Sequence, residues 1–463
     1  NAHKDEPLKS VVKHGLVMDK GIRSYIPFAF MLTIMVTLPL THFTPEDNVS
    51  AAEESIFSAT ARAQTTWSGV VELTNSYTVN VTDELVIAPC TVVKLPDAAR
   101  IFVDGRILIQ GDSACRVTFD RVSTGLHYGI QFNQSSNGRG SVVDNLSIEN
   151  SMYGVTIYAS NPTLNNITII NPSRVGIDLF SSANPTISDL FVDQAGRGFS
   201  YADWRFGIGL SVGAGSAPVV ERAVLSDMRI RGLNIWGDSG GIFNEVTVDN
   251  VTAEGALAIS AGVWVEDSRP LITNISVDKS DYGMLIRHID DGGYTRAVVR
   301  DCVITNSMYR GIYVDKANHT NYTNYESADF TNTVVSGTGG PNAKTSNIGF
   351  AAIEVNATGA WFENTLIEDS TTVGLRLYFV DSSTTFRNLT ITDSGEPGQG
   401  AHSAGLAIRS AFFAPTFDGL EISGSAGPGV SATSGGAMQG SNWFLHNNTE
   451  DGLFVDSSTI IID

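Results

Sequence analysis

Cysteine is nearly missing from this 463-residue sequence: there are three, and no C-x-x-C pair. The eight histidines form no tract, and no Cys/His spacing matches a structural zinc site. The eight methionines are equally scattered, which leaves no clustered soft-metal pocket. Positive charge is scarce, with 29 Lys and Arg against 49 Asp and Glu, a net charge of −20. Such a surface disfavours nucleic acid and anionic lipid as partners and suits cations, metal-bridged glycans or a saline medium. Helical periodicity is also missing beyond residue 64. With no room for a crossover helix between strand-like segments, doubly wound and (β/α)-barrel folds are excluded.

What is present is a phrase that recurs: glycine, aliphatic, any residue, aliphatic, then a polar turn. It reads GIQF from Gly129, GVTI from Gly154, GIDL from Gly176, GIGL from Gly207, GLNI from Gly232, GVWV from Gly262 and GMLI from Gly283. It continues as GIYV from Gly311, AIEV from Ala352, GLRL from Gly374, GLAI from Gly405, GVSA from Gly429 and GLFV from Gly452. The spacing runs from 21 to 41 residues, so the excess over the shortest is insertion. Self-similarity at this period predicts a solenoid. Each phrase alternates with period two, a strand signature. A second phrase, Asn/Asp–aliphatic–Ser/Thr–aliphatic, lies between the first ones, as in DNLSI from Asp144, NNITI from Asn165, DNVTA from Asp249, TNISV from Thr273 and RNLTI from Arg387. Two to three strands per turn, each paired in parallel with its counterpart one turn away, predict an all-β coil of about 13 or more rungs at ~4.8 Å each. Aliphatic pairs such as Val155/Ile157, Ile177/Leu179, Ile208/Leu210 and Leu375/Leu377 then stack inside, with glycine at a corner needing positive φ or close approach.

These phrases, with the lead-in from Thr65 to Asp120, resemble the right-handed parallel β-helix of the pectin-lyase-like superfamily in its secreted, cell-surface form. The resemblance runs from about Thr65 to the end and implies the fold more than an activity. Such rungs carry lyases, hydrolases, epimerases, adhesins and inert stalks alike. Glycosidases of the superfamily carry an Asn-Thr-Asp strand, an Asp pair and a Gly-His-Gly, of which only Asp290–Asp291 matches here. Calcium-dependent lyases need an acidic cluster facing a basic residue, which Asp267, Asp290 and Asp291 with Arg287 or Arg269 would supply. No cofactor is required; Ca²⁺ is the one candidate.

Four segments follow. Residues 1–23 form a basic upstream segment, 24–43 a signal peptide or membrane anchor, 44–64 a linker or capping helix, and 65–463 the β-helix. Lys20 and Arg23 precede an apolar run from Ile26 to Leu40, long for a signal core and short for a span. Either reading places Thr65 onward outside the cytoplasm, with the membrane touched only through this run. Thr44 as N-cap, Pro45, Glu46 and Asp47 begin a possible helix whose apolar stripe is Val49, Ala52, Ile56, Phe57 and Ala63. It would cap the open end of the coil, or serve as a spacer. The last residues, SSTIIID, stop inside a repeat, and the expectation is a fragment of a longer chain.

Cys90 and Cys115 lie 25 residues apart, about one turn, and outside the cell this predicts a disulfide; two buried thiols are the alternative. Cys302 reads as a small core residue. Of twelve N-x-S/T sequons, Asn145, Asn166, Asn250, Asn274 and Asn388 share one place in the repeat, where stacked asparagines would form an amide ladder. Asn318 and Asn321, in a loop, are the better glycosylation acceptors.

Insertions mark where function would sit. They include RGFSYADWR from Arg197, Gly337–Asn347 and Gly395–Ser403, with HIDDGGYTR from His288 and ANHTNYTNYE from Ala317 at one corner of consecutive turns. Aligned repeats put Glu266, Arg287 and Asp315 in one column and Asp267, His288 and Lys316 in the next. With Tyr294, Tyr322 and Tyr325 this corner offers hydroxyl hydrogen bonds and ring stacking to a sugar, and Arg269 adds charge. Asp290 and Asp291, with Arg287, are the catalytic candidates for glycan cleavage, or with Asp267 a Ca²⁺ site. Against both stands a plain salt-bridge ladder across neighbouring strands. The expectation is an extracellular binding or structural protein with affinity for polysaccharide or surface glycan. A lyase or hydrolase working in a groove, and an inert stalk or surface-layer component, are the alternatives.

Overall fold

Each glycine phrase is an extended strand whose two aliphatic residues turn inward and whose middle residue turns out. Val155 and Ile157 in Tyr153–Tyr158 are fully buried, as are Ile177 and Leu179 in Val175–Phe180 and Leu375 and Leu377 in Val373–Tyr378. The computed structural model describes residues 62–198, 206–253, 259–289, 296–316, 326–339, 350–380, 382–397, 403–411 and 413–463. Among them the strands form two sheets, a wide one of 19 strands and a narrow one of 15, with parallel pairing throughout. The glycine phrases make the narrow sheet. Fifteen rungs at ~4.8 Å stack to roughly 70 Å.

The wide sheet is bent along its length. In Val142–Glu149 and Thr163–Ile170 the pairing runs Asp144 to Asn165, skips one residue, and resumes at Leu146 to Ile167. The skipped residues, Asn145 and Asn166, sit in the left-handed region at φ 51° and 52°. Asparagine tolerates that conformation better than most residues. In the first rungs the two halves are separate strands. Arg106–Gln110 and Val117–Arg121 both pair with Val142–Glu149, where the halves fuse.

Inside, columns of aliphatic side chains run through one continuous core. One column ends in a stack of rings: Phe330, Phe362, Phe386 and Phe417 lie 4.7–5.0 Å apart with planes within 6° of parallel. The rung spacing fits this, since it approaches the contact distance of aromatic faces. The phrase glycine is there for close approach: a Cβ on Gly154 would lie 2.6 Å from the Gly176 carbonyl oxygen and 2.7 Å from Ile169 Cδ1.

Two repeat alignments are corrected. Gly209, not Gly207, stands in the glycine column, because Ile177 pairs with Leu210 and Leu179 with Val212. The core pair of that rung is therefore Leu210/Val212; the insertion ahead of it ends two residues later than the phrase suggests. Asn250 leaves the asparagine column, where Glu245 stands beside Asn274. It belongs to a second left-handed column at the strand end, and donates to Asp227 Oδ1 at 2.7 Å.

The Cys90–Cys115 disulfide is present, with Cα atoms 4.8 Å apart, and Cys302 is a free, fully buried thiol. The first strand, Ala63–Trp67, begins two residues before Thr65 and takes Ala63 out of the stripe read as helical. No helix among the described residues is long and apolar enough to cross a membrane. The apolar run from Ile26 to Leu40 and the segment 44–61 lie outside them.

Candidate functional site

Residues turned out from the narrow sheet ought to be wet, yet many here are not. Asn234 and Leu285 are fully buried, and Ser211, Trp264, Asp315 and Glu354 expose 5–6% of their surface. All but Asp315 occupy the middle place of the phrase, and Asp315 follows two residues after it. Where polar groups leave water on an outward face, each needs a partner.

Arginine supplies many of these partners. Arg310 grips Glu354 with two nitrogens, Nε at 2.9 Å and Nη2 at 3.2 Å, and its Nη1 donates to the Tyr282 hydroxyl at 2.9 Å. Its guanidinium lies 4.4 Å from the Tyr313 ring centre and 5.0 Å from that of Phe350. Arg376 approaches the same Glu354 at 3.7 Å. Three rungs before Arg310, Arg231 covers Trp264 at 3.9 Å and donates to Asn234 Oδ1 at 2.6 Å. Burial lowers the Arg231 pKa to about 10, and it pushes the Tyr282 and Tyr313 phenols up. Nearer the N-terminus Arg174 lies 4.4 Å from the Phe206 ring centre and bonds the Tyr153 hydroxyl at 2.7 Å. Planar cations sandwiched by rings are favourable when desolvated.

Asp178 stands on the same face with the Ser211 hydroxyl as donor. Burial outweighs that bond and raises the carboxyl pKa to about 6.

The columns read from the sequence are present. Glu266 pairs in register with Arg287, Arg287 with Asp315, and His288 with Lys316. Arg287 bonds Asp315 at 3.1 Å, and Asp315 also accepts from Asn356 at 3.0 Å. Glu266 accepts from the Trp264 indole at 3.1 Å. Asp267 Oδ1 meets His288 Nδ1 at 2.9 Å and the Ile289 amide at 2.9 Å. Lys316 is buried, whereas Arg269 lies exposed between strands. These contacts are those of a ladder. Asp290, Asp291, Tyr294, Tyr322, Tyr325, Asn318 and Asn321 lie outside the described residues. Among the described residues no group of three His, Cys, Asp or Glu could hold a metal ion.

The family model for the right handed beta helix region matches residues 67–192 and 105–269. The coil is a right-handed parallel β-helix. No curated protein matches it in sequence. Among solved structures it is similar to the A-module of the Azotobacter vinelandii mannuronan C-5 epimerase AlgE4, at 12% identity over 80% of this chain and 90% of that one, TM-score 0.35. It is also similar to the tailspike of Escherichia coli bacteriophage HK620 in complex with a pentasaccharide, at 12% identity over 86% of this chain and 71% of that one, TM-score 0.44. A third is the catalytic domain of a GH87 α-1,3-glucanase in complex with nigerose, at 12% identity over 86% and 63%, TM-score 0.31.

Sequence reasoning passed over the densest part of this β-helix face. Asp178, Asn234, Glu354 and Arg376 are each the freely chosen residue between two aliphatics, and Arg231 and Arg310 directly precede a phrase glycine. The signal was available: in an alternating strand flanked by turns, the polar residue between two buried ones must face out.

Proposed function

We propose that this β-helix is an extracellular surface protein that binds carbohydrate along the outer face of its narrow sheet. The observation carrying the reading is the half-buried cluster of Tyr282, Tyr313 and Phe350 around Arg310. Flat apolar rings beside fixed donors and carboxylates are what a sugar ring with its hydroxyl fringe recognises. The Cys90–Cys115 bond supports an oxidising, extracellular setting, and so does the basic flank ahead of the apolar run.

The test is retention of the full chain by a panel of soluble polysaccharides, with and without Ca²⁺, compared with Arg310→Lys. Lysine keeps the charge but loses the two-pronged bond and the stack, so a tenfold or greater loss of binding is expected, with a lower melting temperature that still leaves the chain folded at the assay temperature. No retention by any polysaccharide would sink the reading. Dependence on Ca²⁺ would implicate Asp267, Asp290 and Asp291 as ligands.

A second reading, cleavage of the bound glycan, is favoured by Asp178, whose carboxyl holds its proton up to about pH 6, as a general acid must. New reducing ends that disappear in Asp178→Asn would move the protein from binder to enzyme.

A further inference from the structure

We propose a second carbohydrate site, on the outer face of the wide sheet and centred on Phe191, that takes an uncharged oligosaccharide. It is separate from the narrow-sheet face and does not depend on it. Strands Thr186–Asp193, Val219–Met228, Ile242–Val251 and Leu271–Ser280 line an open groove of about 560 Å³ there. Phe191, Val224 and Thr247 stand side by side on successive rungs, and Phe191 and Val224 expose 37% and 38% of their surface.

The backbone column next to them is where this stretch departs from the rest of the coil. From Asn145 to Asn442 the left-handed residue at the sheet bend is Asn, Asp or Gly on every described rung but two, and those two are Arg222 and Glu245, at φ 56° and 55°. Arginine and glutamate gain nothing from that conformation, and strained residues of this kind gather at ligand clamps. Both line the groove. Arg222 is held flat by Asp189, Nε to Oδ1 at 2.7 Å and Nη2 to Oδ2 at 3.0 Å. Glu245 meets Arg222 only through its field.

The chemistry selects the ligand. Phe191 offers a pyranose C–H face a ring to rest on, Glu245 and Asp189 accept from hydroxyls, and Arg222 and Thr247 donate. Three carboxylates, Asp189, Glu221 and Glu245, surround one guanidinium, so a uronate is repelled. An open groove along four rungs fits a chain of sugars, not a single small molecule.

Titration of the full chain with neutral hexoses as hexasaccharides, with hexagalacturonate as the charged control, tests this. Saturable binding of a neutral hexasaccharide is expected, at least tenfold weaker in Phe191→Ala and unchanged in Phe444→Ala, an exposed ring of the same sheet outside the groove. The double variant Arg222→Asn, Glu245→Asn, which restores the asparagine column, should melt higher and bind at least tenfold more weakly. Absence of saturable binding in the parent chain overturns the proposal, as does a Phe191→Ala variant that binds like it. Concentration-dependent dimerisation abolished by Phe191→Ala, without sugar binding, also overturns it and gives the face to a second copy of the chain.

Discussion

Asn364 donates its side-chain amide to Asn332 Oδ1 at 3.0 Å, one rung away, and accepts from Asn388 at 3.0 Å on the other side. Asn364 is also left-handed, at φ 54°. The same residue thus sets the bend and links three rungs.

Replacing Asn364 by alanine should cost about 2–3 kcal/mol, from two lost ladder bonds and a Cβ in the left-handed region. Glycine keeps the backbone conformation and should cost about half as much. Urea unfolding of the two variants separates the contributions; equal costs would mean the backbone term is negligible.

Phe386 lies inside the ring stack, 5.0 Å from both Phe362 and Phe417. Phe386→Ala should destabilise by about 3–5 kcal/mol, and Phe386→Leu by less. Because each rung contacts mainly its neighbours, hydrogen exchange should accelerate most in the rungs around Phe386 and least near Trp67.

Asp178 gives a pH signature. Its carboxyl titrates near 6 in the fold against 3.8 for the ordinary group. Below about pH 4 both states are protonated and the fold has its full stability from this group; it is lost as pH rises to about 6, because the unfolded chain ionises first. The loss amounts to about 3 kcal/mol at most. Asp178→Asn should therefore raise the melting temperature at pH 7.5 and leave it unchanged at pH 3.5. A gain at both values would show that ionisation is not the cause.

The cysteines should count as one thiol, not three. Burial pushes the Cys302 thiol up to about 12, so the native chain should give no reaction with a thiol reagent at pH 8. Denatured without reductant it should give one, and after reduction three. Closing the 25-residue loop stabilises by about 3 kcal/mol in the chain-entropy account. Reduction should thus loosen the N-terminal rungs first, seen as faster exchange at Val92–Leu95 and Val117–Arg121.

The candidate site was legible only in part. The columns holding Arg287, Asp315, His288 and Lys316 followed from counting forward from the phrase glycines. Their partners followed too, since adjacent rungs must touch. Arg310 and Glu354 are 44 residues apart, and the insertion between them hides that they are neighbours. A phrase that looks the same two residues early, as at Gly207, cannot be told from the true one until the strands are paired.

By itself the sequence determined the period, the parallel coil, the inward aliphatics and the one-turn spacing of Cys90 and Cys115. Each is read from alternation and spacing, which are local properties. The structure chose the Cys90–Cys115 bond over two buried thiols. Only the tertiary structure decided which outward residues lose water. Burial of Asp178, Arg231 and Glu354 comes from side chains contributed by other rungs, and insertion lengths, not local pattern, bring those rungs into register. The same holds for the left-handed column: its asparagines are visible as a motif, but that Arg222 and Glu245 occupy their places is visible only once the strands are stacked.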